Sequence, residues 1–167
     1  MIHDFKRDLA YSEMSSEESF WHDIYKKAFP DMVNCMLGAG DTASQRMGID
    51  RVLLLSSGAT ITIDEKKRRN VYADFCLEYI SVDRTNAPGW MEKELTIDYL
   101  AYAFMPLKTA YILPWSLLKR SWNRYKNEWI RDYPRIEAQN ATYKTISVAV
   151  PIHIVLDTIK NAMIIKI

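Results

Sequence analysis

Apolar positions in the first part of the chain fall at two different spacings, and the change between them places the main elements. Phe20, Trp21, Ile24, Tyr25, Ala28 and Phe29 recur at three- and four-residue steps, which is the stripe of a helix with one buried face. This predicts a helix from Ser15 or Ser16 to about Phe29, stopped by Pro30. Ser15 with Glu18 fits a capping box at its start, and Met1 to Met14 reads as a loose polar arm. Met32 to Arg46, with Gly38, Gly40 and Asp41, reads as a connector. The period then shortens. Ile49 to Leu55 is an apolar run, Thr60 to Ile63 alternates Thr and Ile, and Ser56, Ser57 and Gly58 lie between them. Such a pattern predicts a β-hairpin.

Further along, Tyr72 to Val82 alternates as a third strand, followed by a loop from Asp83 to Glu94 with Trp90 as its anchor. Leu95 to Phe104 and Thr109 to Leu113 read as strands around Pro106. Pro114 opens a helix that Pro134 ends, with Trp115, Leu118, Trp122, Tyr125 and Trp129 on one face. A stripe at that spacing is core rather than a base-stacking platform. Thr142 to Val150 is a β-branched strand, and a last helix opens at Pro151 with Ile154, Val155, Ile159 and Met163 inward. His153 stands alone on it and reads as a surface or packing residue. This order predicts an α/β (α+β) fold, a central mixed sheet flanked by helices, with the hairpin at its centre.

With 167 residues the chain reads as one domain. Its apolar fraction of 49% supplies a core, and a net charge of +1 gives no global pull toward nucleic acid. Cys35 and Cys76 lack metal-ligand spacing, so a structural zinc site is not expected. Two thiols without a secretory signal point to a reducing cytoplasm. No apolar run reaches membrane-spanning length, so no membrane span is expected.

Chemistry concentrates on the hairpin. Asp50 opens its first strand and Asp64-Glu65-Lys66 closes its second, and antiparallel pairing brings these ends together. Side chains alternate along a strand, so Asp64 and Lys66 share a face while Glu65 points away. A bulge would exchange them for Glu65 and Lys67. Glu17 lies in line with the buried stripe of the first helix, and Glu78 faces either this site or water. Lys67-Arg68-Arg69 follows the hairpin directly. Lys119, Arg120, Arg124, Lys126 and Arg131 lie off the apolar face of the tryptophan helix. Charge runs of this kind are commonly solvated faces, but these are placed to suit phosphates.

Asp50, Asp64 and Lys66 on a hairpin resemble the PD-(D/E)XK, or restriction-endonuclease-like, nuclease superfamily, with Ile49 in place of the name-giving proline. The motif covers about twenty residues; the order of elements extends the likeness across Ser15 to Ile159. The resemblance implies a restriction-endonuclease-like core and a metal-dependent nuclease acting on DNA. It implies Mg²⁺ or Mn²⁺ held by Asp50 and Asp64, by Glu65 through its backbone carbonyl, and by Glu17 or, failing that, Glu18. Lys66 would orient or deprotonate the attacking water, and Lys67, Arg68, Arg69, Lys119, Arg120 and Arg124 would contact the phosphate backbone. A homodimer is compatible with this reading. The alternatives are a nuclease-fold protein that binds nucleic acid or a partner without cutting, and an interaction protein with no metal.

Overall fold

The computed structural model describes residues 5–38 and 47–167, with side chains from Ser16 onward, and the chain is α+β. Its elements run α1 (Phe5–Ala28), β1 (Met32–Leu37), β2 (Arg51–Leu55), β3 (Thr60–Arg68), β4 (Asp74–Val82), β5 (Ala87–Pro88), β6 (Tyr99–Phe104) and β7 (Thr109–Pro114). They continue with α2 (Trp115–Asp132), β8 (Arg135–Gln139), β9 (Lys144–Pro151), α3 (Ile152–Thr158) and β10 (Met163–Lys166). A six-stranded sheet has the order β1-β2-β3-β6-β7-β10, and a four-stranded one the order β5-β4-β9-β8. The larger sheet is mixed, because β3 and β6 run parallel while its other neighbours are antiparallel.

The hairpin is where the alternation placed it. Arg51 lies opposite Ile63, and Gly58 takes the turn at φ 84°, which a Cβ would oppose. β3 runs well past β2, through the acids to Arg68. It can do so because β6 pairs with it from Ile63–Tyr99 to Arg68–Phe104. On its other side β2 has stopped. The last links there are Asp50 N–H to the Ile63 carbonyl at 2.9 Å and Glu65 N–H to Asp50 Oδ2 at 2.8 Å. Beyond them no strand among the described residues pairs with the flank of β3 facing away from β6, and the candidate site sits at this step.

Alternation along β3 also divides the core in two. Ile61 and Ile63 face α1, where Phe20, Trp21, Ile24 and Tyr25 pack on Leu53, Ala101, Ala103 and Ala110. The small alanines let the helix approach closely. On the opposite face Leu100, Tyr102 and Phe104 meet Phe75, Leu77, Val148 and Val150 of the smaller sheet and the α2 stripe of Trp115, Leu118, Trp122 and Trp129. The tryptophan stripe is therefore core, as its spacing predicts.

Several expectations are corrected. α1 starts at Phe5, so Ser15 lies inside the helix and no capping box forms there. Residues 5–14 hold no helix breaker and continue the helix instead of forming a loose arm; Met1 to Asp4 lie outside the described residues. The connector contains a strand, β1, which pairs with β2; residues 39–46 of it lie outside the described residues. β4 joins the smaller sheet with β9 instead of extending the hairpin. The last helix ends at Thr158, and Asn161 at φ 68° turns the chain so that Met163 enters β10. β8 was not expected at all: each of its residues is exposed, so no apolar period marks it.

Candidate functional site

Asp64 sits on the face of β3 opposite α1, and its side chain is 5% exposed. Lys66, two residues on and therefore on the same face, donates to Asp64 Oδ1 at 2.6 Å. Among the described residues Asp64 Oδ2 is buried with no hydrogen-bond partner. An unpartnered carboxylate oxygen is costly, and it shows in the proton affinity. Burial pushes the Asp64 carboxyl up to about 7; the Lys66 ammonium pulls the other way, and the adjacent Asp50 carboxylate adds to the rise. Asp50 is exposed, and its Oδ2 accepts from the Glu65 N–H across the step where β2 ends. The structure thus brings Asp50, Asp64 and Lys66 together, as the hairpin register requires.

Glu65 and Lys67 lie on the α1 face. Glu65 Oε1 accepts from Arg51 Nε at 2.9 Å and from the Tyr25 hydroxyl at 2.8 Å, and Arg51 Nη2 reaches Oε2 at 3.3 Å. Arg51 also binds Glu18, at 2.8 and 3.2 Å. Burial works against the Arg51 charge, but its bonds to Glu18 and Glu65 outweigh that and hold it cationic. Burial raises the Glu65 carboxyl against the opposing pull of Arg51 and Tyr25. Lys67 pairs with Glu17 at 2.6 Å. A cavity of about 450 Å³ opens here, lined by Glu17, Glu18, Asp50, Arg51, Glu65 and Lys67 among others. Asp50 is common to both faces.

Sequence reasoning missed Arg51 and Tyr25. A signal was present for Arg51. It alternates with Leu53 and Leu55 and so had to point at α1, where a charge needs partners.

The basic residues separate. Arg68 stacks 4.2 Å over the Tyr72 ring and bonds the Tyr102 hydroxyl at 3.3 Å, while Arg69 is exposed. Lys119 is turned onto the carbonyls of Met91 and Lys93, at 2.9 and 3.0 Å, and pairs with Glu94. Arg120 and Arg124 line a separate cavity between α2 and α3 with Asp157. None of these three lines either opening beside Asp64 and Lys66. Glu78 faces Lys66 across a narrow groove between the two sheets. Burial raises its carboxyl against the pull of the Trp90 backbone, and Lys66 is among the charges that lower it.

Among the described residues no group of three or more His, Cys, Asp or Glu side chains stands ready to enclose a metal. A hard divalent ion does not require one, since Mg²⁺ is held by one or two carboxylates and keeps several waters. Asp50 with the orphan oxygen of Asp64 fits that donor set. The fold and this site define an α+β protein with a carboxylate–carboxylate–lysine cluster at a strand step. Compared with known proteins, the chain matches no family model, no curated protein and no solved structure. Among the described residues no helix is long and apolar enough to cross a membrane.

Proposed function

We propose that this chain is a metal-dependent phosphodiester hydrolase acting on DNA, with a restriction-endonuclease-like core and an Asp50/Asp64/Lys66 site. One observation carries the reading: the buried, unpartnered Asp64 Oδ2 stands beside Asp50 and on the face of Lys66. The parallel pairing of β3 with β6, beside a hairpin covered by α1, supports the core. Asp50 and Asp64 would hold Mg²⁺ or Mn²⁺, and the Glu65 carbonyl, 3.5 Å from Lys66 Nζ, is a further oxygen on the same strand. The ion supplies Lewis-acid polarisation of the phosphate and a more acidic water.

The chain's own residues do the rest. The Asp64 proton must leave for the ion to bind, so Asp64 makes the site open as pH rises. Lys66, beside Asp64 on the same face, would orient or deprotonate the attacking water, and its ammonium would offset the charge that builds on the non-bridging oxygens. Asp50 ties the end of β2 to β3 by accepting from the Glu65 N–H, and its carboxylate would help hold the ion.

A second register, Asp50/Glu65/Lys67 with Glu17, is favoured by the α1-side cavity that these residues line. Against it, Arg51 and Tyr25 already engage both Glu65 oxygens, and a fixed guanidinium occupies the place a cation would take. The test is cleavage of linear, circular and branched DNA with Mg²⁺, Mn²⁺ or EDTA. Asp50→Asn and Asp64→Asn should each abolish metal-dependent cleavage with the fold retained. Binding of nucleic acid without cleavage by the wild-type protein would establish the non-catalytic alternative instead.

A further inference from the structure

We propose that Arg120 and Arg124 form an oxyanion site in the cleft between α2 and α3, and that it takes a small phosphomonoester carrying an amine. The site lies apart from the carboxylate–lysine cluster and does not rest on the hydrolase reading. The two guanidinium side chains stand one helical turn apart, both exposed, and line a cavity of about 480 Å³ with Ser121, Tyr125, Asp157 and Thr158. Among the described residues neither makes a salt bridge or a hydrogen bond. Like charges four positions apart oppose a helix, and a dianionic phosphate between them relieves that opposition.

The hydroxyls of the cleft are already engaged. Ser121 Oγ donates to the Thr158 carbonyl at 3.2 Å, which ties α2 to α3, and Thr158 Oγ1 donates to the Val155 carbonyl at 2.7 Å. Arg124 lies 5.3 Å from the Tyr125 ring instead of pairing with Glu128 one turn on. Its N–H groups are therefore left for a ligand, and arginine forks suit phosphate oxygens. What adjoins the cavity narrows the choice. A second cavity of about 310 Å³ shares Tyr125, Asp157 and Thr158 with the first and adds Glu128 and Asp132. Arg131 holds Asp132, but Glu128 and Asp157 make no salt bridge among the described residues. A polyanionic strand continuing along α2 would meet these acids, so the cleft takes one phosphate and not a chain of them. An ammonium on the same small molecule would face Asp157 or Glu128, which is the charge order of an aminoalkyl phosphate.

The probes are inorganic phosphate and phosphoethanolamine, each titrated in EDTA into the isotope-labelled full chain while the arginine Nε–H signals are followed by NMR. Both should shift the Arg120 and Arg124 signals saturably, with a Kd for phosphoethanolamine at or below about 1 mM. Phosphoethanolamine should bind at least about threefold more tightly than phosphate, and Asp157→Asn should remove that advantage. Arg120→Gln with Arg124→Gln should weaken both probes by at least about tenfold, with the melting temperature no lower. If that double variant fails to fold, the wild-type shifts still decide the matter. Shifts spread evenly over the exposed arginines, or absent from both Arg120 and Arg124, would overturn the proposal. So would phosphate binding as tightly as phosphoethanolamine. A short oligonucleotide that competes for the pair better than phosphoethanolamine would also overturn it, by making the pair a nucleic-acid contact.

Discussion

At the scale of single residues, the energetics turn on Asp64. Its folded-state carboxyl lies near 7 against an ordinary 3.8, so between those values the folded protein keeps a proton that the unfolded chain has released. Stability contributed by this group is intact below pH 4, falls as pH rises through that window and is flat above it, a loss on the order of 4 kcal/mol. Asp64→Asn removes the charge and keeps the shape. In metal-free protein at pH 8 it should therefore raise the melting temperature while eliminating Mn²⁺ binding; a lower melting temperature would mean that the carboxylate stabilises the fold. Lys66→Ala should spare metal binding yet slow cleavage by about 10²-fold or more, the scale of a positioned acid–base or electrostatic group. Lys67→Ala should cost far less in single-turnover rate. If the two effects are reversed, Glu65 is the second acid and the site faces α1.

At the scale of elements, Arg51 ties α1 to the hairpin through Glu18 and Glu65. Arg51→Met strips the partner from the buried Glu65 carboxylate and should cost about 3–5 kcal/mol in urea unfolding. Adding Glu65→Gln should restore much of that loss, and a double variant no more stable than Arg51→Met would refute the coupling. The same elements show what a single sequence reveals. The hairpin, the α2 stripe and the meeting of Asp50 with Asp64 were legible because period, turn residues and strand register are local. β1 and β8 were not: β1 meets β2 only across a connector rich in glycine, and β8, though it pairs with the next strand, has every residue exposed and so no apolar alternation. Glu65 was read correctly as turned away from Asp64, but its binding by Arg51 and Tyr25 depends on how α1 lies across the sheet. Which basic residues stay free was equally hidden: Lys119 is held by carbonyls of the loop before β6, a contact no helical wheel displays.

For the whole molecule, two layers on one mixed sheet leave the step in β3 exposed between a cavity on the α1 side and a groove on the other. Net charge is only +1, so on the proposed reading nucleic-acid affinity would rest on local cations. Neutralising Lys67, Arg68 and Arg69 should flatten the salt dependence of binding by about 0.7 per lost contact on a single strand, or 0.9 on a duplex. Arg120→Gln with Arg124→Gln should change the slope less, because α2 carries them into a separate cavity. Calorimetric titration with Mn²⁺ tests the central claim most directly. The wild-type chain should bind the ion at pH 7.5, bind it more weakly at pH 6 with about one proton released, and lose binding in Asp50→Asn and in Asp64→Asn. Absence of Mn²⁺ binding by the wild type, or binding unchanged by Asp64→Asn, would contradict the account.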